Sequence, residues 1–168
     1  HEIIRLIRTL TDFYSDEVFL VTETNIPNRE NLSYFGNRNE AHLVYNFALP
    51  PLILYTLLNG MSGKIKQWLM GMPPAIFGTT YFNFIASHDG IGLRPIEEIL
   101  TEEEIDMLAK NIEGAGGKVS YRTKENSQRP YELNIALFDA LKLHVKDGDD
   151  GYQEARFISA HTIMLSLE

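Results

Sequence analysis

Three short runs constrain the fold of this chain most: 18–24 (VFLVTET), 42–47 (HLVYNF) and 81–87 (YFNFIAS). Each is too short for a globular helix and rich in β-branched or aromatic residues, which marks it as a buried strand. The first has the look of a strand covered on both faces. Helical patterns lie before and between these runs, and strands alternating with helices imply parallel pairing through helical crossovers.

The helical segments carry clear signals. Ile3, Ile4, Ile7 and Leu10 repeat at helical spacing, so 2–14 reads as an amphipathic helix. Pro50 and Pro51 suit the start of a helix that stops at Asn59-Gly60, and a second helix around 64–70 ends at Gly71 and Pro73-Pro74. Thr101-Glu102-Glu103-Glu104 is a capping box opening a helix that buries Ile105, Leu108 and Ile112. NIALFDALKLH and YQEARFISAHTIMLSL close the chain as helices, and Asp149 or Asp150 is expected to cap the last one. Segments 25–41 and 114–130, rich in polar residues and glycine, read as long loops.

A length of 168 residues fits one domain. A doubly wound sheet and a segment of a (β/α) barrel both satisfy the alternation. Long loops that all follow strands match the C-terminal face of a barrel, where active sites are built.

Fifteen basic residues against 23 acidic ones leave a net charge of −8, which argues against a partner with a phosphate backbone. No apolar run reaches the roughly 18 residues expected of a membrane span. The absence of cysteine excludes disulfides and thiolate metal sites, and the cytoplasm is the expected compartment. The chain enters a helix at His1 and stops at the end of another at Glu168, as an excised piece of a longer polypeptide would.

Chemistry concentrates at two strand ends. Glu23 ends the first run, and Asp89 lies just past the third in Ser87-His88-Asp89-Gly90-Ile91-Gly92. A carboxylate at the end of a buried strand is costly unless paired, hydrogen-bonded or used. One such acid is commonly a helix cap or a loop anchor. Two at equivalent ends of parallel strands, next to each other or next but one, point into one pocket, a layout suited to glycoside chemistry. Gly90 and Gly92 are expected to turn the backbone clear of that pocket.

Other signals fail as sites. His88 beside one acid is no zinc site. His42, His144 and His161 lack sequence partners and read as core or surface residues. Asp147-Gly-Asp-Asp-Gly151 misses the ligand positions of a calcium loop. Gly90-x-Gly92 lacks the third glycine of a dinucleotide fingerprint.

Four ordered motifs, VFLVTETN, VYNFALPPL, ASHDGIGLRP and PYELN…FDAL, resemble the sucrose phosphorylases and their relatives in the alpha-amylase family of retaining glycoside enzymes. The loop TNIPNRENLSYFGN resembles the branch containing glucosylglycerate and sucrose 6-phosphate phosphorylases. The resemblance implies an α/β fold: a segment of a (β/α)8 TIM barrel, roughly strands five to seven with their helices and a long insertion after strand seven. Residues 1–168 are then part of the catalytic domain, with 25–41 and 90–130 as active-site loops and insertion.

By the same resemblance, Glu23 is the general acid/base and Asp89 the transition-state stabiliser, while His88 hydrogen-bonds the glucosyl unit. Asn25, Tyr131 and Glu132 lie on the acceptor and phosphate side. Arg129 is expected to bind an anionic acceptor or phosphate. The implied reaction is phosphorolysis of an α-glucoside with inorganic phosphate as co-substrate and no cofactor. Hydrolysis by water and a non-catalytic fragment are the alternatives. The family's aspartate nucleophile, in an Arg-x-Asp-Ala motif, has no match in these residues and is expected upstream. The isolated chain is therefore expected to be inactive, and either to self-associate through exposed barrel flanks or to be marginally stable.

Overall fold

The computed structural model describes residues 1–124, 127–145 and 148–167. Helix α1 (Glu2–Tyr14) leads into strand β1 (Val21–Thr22), helix α2 (Asn28–Leu32) and strand β2 (Leu43–Tyr45). Helices α3 (Leu49–Asn59) and α4 (Gly63–Gly71) then cross to strand β3 (Thr80–Phe82). The three strands form one parallel sheet in the order β1-β2-β3. Strands adjacent in sequence, parallel and joined through helices, are the (β/α) arrangement that the alternation predicted. Tyr45 stacks on Phe82 across the β2–β3 pair with ring centroids 4.5 Å apart.

A second unit follows. Strand β4 (Ile91–Gly92) pairs antiparallel with β6 (Ser127–Asn134), which pairs with β5 (Lys118–Lys124), and α5 (Glu102–Gly114) packs against this hairpin. The segment 114–130, expected to be a loop, is therefore mostly an antiparallel hairpin. Its alternating polar residues hide the strand signal because one side of the hairpin faces solvent. The other presumed loop, 25–41, holds α2 and a 3-10 turn at Ser33–Phe35. Near the C-terminus the expected helix over 134–144 shrinks to α6 (Leu137–Ala140). A short pair, β7 (His144–Val145) and β8 (Gly148–Asp149), precedes α7 (Gln153–Leu165).

The core sits on the helical side of the sheet. Leu49, Leu52, Ile53 and Leu54 of α3 are fully buried, as are Leu108 and Ile112 of α5, together with Leu93, Ile96, Leu133 and Leu141. Each such aliphatic side chain contributes about 1.5–3 kcal/mol relative to exposure. Pro50 and Pro51 occupy the first turn of α3, and Gly60 ends it in the left-handed conformation at φ 67°. The α5 capping box forms as predicted: Glu104 N–H donates to Thr101 Oγ1 at 3.3 Å, and Thr101 N–H donates to Glu104 Oε2 at 2.7 Å.

Burial departs from expectation on the other side. The run expected to be covered on both faces is open: Val21 of β1 is 41% exposed and Phe19, just before the strand, 66%. The apolar stripe of α1 is likewise open, with Ile3 74% and Leu10 58% exposed, because nothing among the described residues packs over it. At the far end, the first residue before α7 is Tyr152, and no side chain caps the helix. Asp150 instead accepts from Tyr152 N–H at 3.2 Å and from Arg156 Nη1 at 3.0 Å. Of the 147–151 run, Asp147 lies outside the described residues.

Candidate active site

Parallel strands end on the same side, so residues just past β1, β2 and β3 converge. Glu23 and Asn25 follow β1, Phe47 follows β2, and His88 and Asp89 follow β3. All five line one open cleft of ≈ 350 Å³, together with Gly90, Gly92, Tyr131 and Glu132. Six of the seven residues singled out in the sequence thus meet at one place.

The acids are presented to solvent. Asp89 Oδ2 lies 3.4 Å from His88 Nε2, with the two side chains 69% and 80% exposed. An ion pair that open adds little stability. The pair is therefore available to a ligand rather than committed to the fold.

The loop after β1 is held from behind. Asn31, 2% exposed, accepts from Thr24 Oγ1 at 2.7 Å and donates through Nδ2 to the Tyr45 carbonyl at 2.7 Å. One buried amide therefore ties the Glu23–Asn25 segment to β2. His42 supports β1 from its other end: its Nδ1 accepts the Leu20 N–H at 2.9 Å, and its Nε2 stands 3.6 Å from Asp12. Burial, followed by the nearby charge of Arg8, holds its pKa below the ordinary value, against the opposing pull of Asp12. His42 is thus a partnered strut, not the unpartnered residue its sequence context suggested. His161 also has a partner, the Phe157 carbonyl at 2.9 Å.

The glycines act by close approach. Neither Gly90 nor Gly92 has positive φ, and both line the cleft instead of leading the chain away from it. A Cβ on Gly90 would meet Glu132 Cγ and the Leu133 carbonyl, each at 2.7 Å. A Cβ on Gly92 would meet the Asn25 side chain. Antiparallel pairing of Gly92 with Glu132 brings the hairpin to the cleft. Tyr131 sits in a bulge, where the β5–β6 register passes from Ser120↔Glu132 to Tyr121↔Pro130. A bulge re-aims a side chain, and here the Arg122 guanidinium stands 5.7 Å from the Tyr131 ring centroid.

Arg129 is placed elsewhere. Its Nη1 lies 2.5 Å from Glu102 Oε2, and it lines a separate groove with Glu97, Ile105 and Asp106. The acidic first turn of α5, Glu102-Glu103-Glu104, captures the guanidinium before it can reach the cleft.

Two residues beside the site escaped the sequence reading. Phe47 was legible as the strand-end position after β2. Arg94, two residues beyond Gly92, donates through Nη1 to the Asn25 carbonyl at 3.5 Å and lines an adjoining groove of ≈ 400 Å³ with Pro27, Glu97 and Arg122. Its signal was a basic residue directly after a strand-end acid motif.

No protein-family model matches the chain. It is 44% identical to a glucosylglycerate phosphorylase of Allomeiothermus silvanus, over 100% of this chain and 30% of that protein. A glucosylglycerate phosphorylase of Escherichia coli is 39% identical over 99% of the chain and 30% of its own length. A sucrose phosphorylase of Streptococcus mutans is 34% identical over 71% of the chain and 24% of its own length. Among solved structures, sucrose 6F-phosphate phosphorylase from Thermoanaerobacter thermosaccharolyticum superposes with a TM-score of 0.76 at 18% identity, covering 97% of this chain and 29% of that one. The chain thus spans about 30% of the length of the glucosylglycerate phosphorylases it matches.

Proposed function

The chain is homologous to one segment of the glucosylglycerate and sucrose phosphorylases, enzymes of the alpha-amylase family, and on that premise we propose that it carries part of the active site of a retaining α-glucoside phosphorylase. The reaction moves a glucosyl group between an acceptor hydroxyl and inorganic phosphate, releasing α-glucose 1-phosphate in the phosphorolytic direction. Phosphate is a co-substrate, and the chemistry needs no cofactor. In this reading β1, β2 and β3 are the fifth to seventh strands of an eight-stranded barrel, and the hairpin is inserted after the seventh.

Glu23 donates its proton to the glycosidic oxygen as the acceptor leaves, and later takes a proton from the attacking phosphate. Asp89 steadies the positive charge that develops at the anomeric carbon, and His88 hydrogen-bonds the same sugar. Asn25, Tyr131 and Glu132 face the acceptor and phosphate side. The nucleophile, an aspartate about 5–5.5 Å from the acid/base in a retaining mechanism, is assigned to no residue of this chain.

The observation that carries the reading is the convergence of Glu23 and Asp89, from the ends of β1 and β3, on one cleft with Tyr131 and Glu132. Kinship with three glucosylglycerate phosphorylases supports an anionic acceptor. The exposure of His88 and Asp89 admits water, which favours hydrolysis as the second reading. Product analysis in the catalytically complete protein separates the two. Glucose 1-phosphate formed only with phosphate, and reduced about 10²–10⁴-fold in Glu23→Gln, is the expected result. Free glucose alone, with or without phosphate, overturns phosphorolysis in favour of hydrolysis.

A further inference from the structure

We propose that Arg94 is the specificity-determining residue that grips the anionic group of the second substrate, either the carboxylate of a glycerate-like acceptor or inorganic phosphate. The proposal rests on the phosphorylase reading above and names a residue that reading does not use.

Arg94 is a half-buried cation without a counter-ion. Among the described residues its side chain makes one hydrogen bond, to the Asn25 carbonyl at a long 3.5 Å, its Nε is buried with no partner, and no carboxylate pairs with it. The neighbouring charges are already committed or solvated. Arg122 pairs with Glu97 and covers the Tyr131 ring, Arg129 pairs with Glu102, and Glu98 at the groove's edge is exposed. A guanidinium held partly out of water with donors to spare is a site for a planar or tetrahedral oxyanion, whose binding offsets the desolvation of both.

The groove that Arg94 lines borders the cleft at three places. Asn25 lines the cleft and Pro27 the groove; Gly92 lines the cleft and Arg94 the groove; Tyr131 lines the cleft and lies under Arg122 of the groove. An acceptor hydroxyl placed at Glu23 can thus extend its anionic end toward Arg94, past Asn25. This geometry moves the anion-recognising role from Arg129, which is occupied, to Arg94.

The test has two arms. In NMR titrations of this chain, the Arg94 Nε–H cross-peak, assigned by its loss in Arg94→Lys, is expected to shift saturably with millimolar D-glycerate or inorganic phosphate and not with glycerol. The anion that shifts it more identifies the source. A peak that stays still, or that moves no more than that of Arg129, overturns the proposal whatever the enzyme makes. In the catalytically complete protein, Arg94→Gln is expected to raise the KM of the preferred anion at least tenfold and that of glycerol less than twofold, with Arg129→Gln raising neither. Equal effects on charged and neutral acceptors overturn the proposal. Failure to make glucose 1-phosphate in the unsubstituted protein overturns the phosphorylase reading instead, and leaves the anion titration to decide the role of Arg94.

Discussion

A Cβ atom on Gly92 would stand 2.5 Å from the side-chain amide nitrogen of Asn25 and 2.7 Å from its oxygen. The amide packs flat on the glycine backbone, so a hydrogen is the largest substituent the position holds. Gly92→Ala must push Asn25 out of place or shift β4 away from β6. Overpacking of this kind costs typically about 1–3 kcal/mol. Denaturant unfolding should show that loss, and an unchanged midpoint would refute the tight approach.

The Asn31 amide is the second point at which the cleft is fixed from behind. Asn31→Ala removes the acceptor of the Thr24 hydroxyl and the donor to the Tyr45 carbonyl, and leaves that hydroxyl and that carbonyl without these partners. Leaving buried polar groups unsatisfied costs about 1–3 kcal/mol. The same variant should loosen Glu23 and Asn25, seen as faster hydrogen exchange at the β1 end than across α3. Uniform exchange along the chain would argue against a local strut.

His42 makes stability depend on pH near neutrality. Its Nδ1 must be unprotonated to accept the Leu20 N–H, and its folded pKa lies below the ordinary 6.5. The unfolded chain therefore takes up the proton first as pH falls. This contribution is present above about 6.5 and is lost as pH drops through the lower folded value. Thermal melts from about pH 8 to about pH 5 should show a decline that His42→Gln flattens. Parallel profiles for the two proteins would rule His42 out as the cause.

Tyr55 and Glu104 predict an alkaline counterpart. The Tyr55 hydroxyl donates to Glu104 Oε1 at 2.7 Å, and its pKa is pushed up to about 12 by burial and then by that carboxylate. A raised folded pKa gives stability that is complete below the unfolded value of about 10 and lost as pH rises toward the folded one. Tyr55→Phe should lower the melting temperature at neutral pH and remove the decline above about pH 10. Retention of the decline would assign it to another group.

The open apolar surface of α1 and β1 predicts self-association of this chain. Ile3, Leu6, Leu10 and Phe13 on α1 and Phe19 beside β1 are each more than half exposed. A contiguous apolar face of this kind seeks a partner. Light scattering should report concentration-dependent oligomers, dispersed by the pair Leu6→Glu and Leu10→Glu. A monomer at every concentration would contradict this.

Several elements were readable in one dimension because local chemistry suffices to specify them. The prolines and Gly60 bounded α3, the Thr101–Glu104 box opened α5, and the aromatic runs located β2 and β3. Glu23 and Asp89 stood out because an acid at the end of an apolar strand is anomalous wherever the strand goes. Those signals depend on spacing and residue type alone. The remainder depended on who meets whom across the fold. The β5–β6 hairpin read as a loop because its polar alternation has meaning only once α5 covers one side. Gly92 looked like a turn residue until Asn25, 67 positions earlier in the chain, was seen to rest on it. Arg129 and Arg94 are chemically equal in sequence, and their fates separate only when Glu102 pairs with the first and, among the described residues, no acid pairs with the second. Pairing, close approach and the loss of solvent are distances between segments remote in sequence, and folding alone sets them.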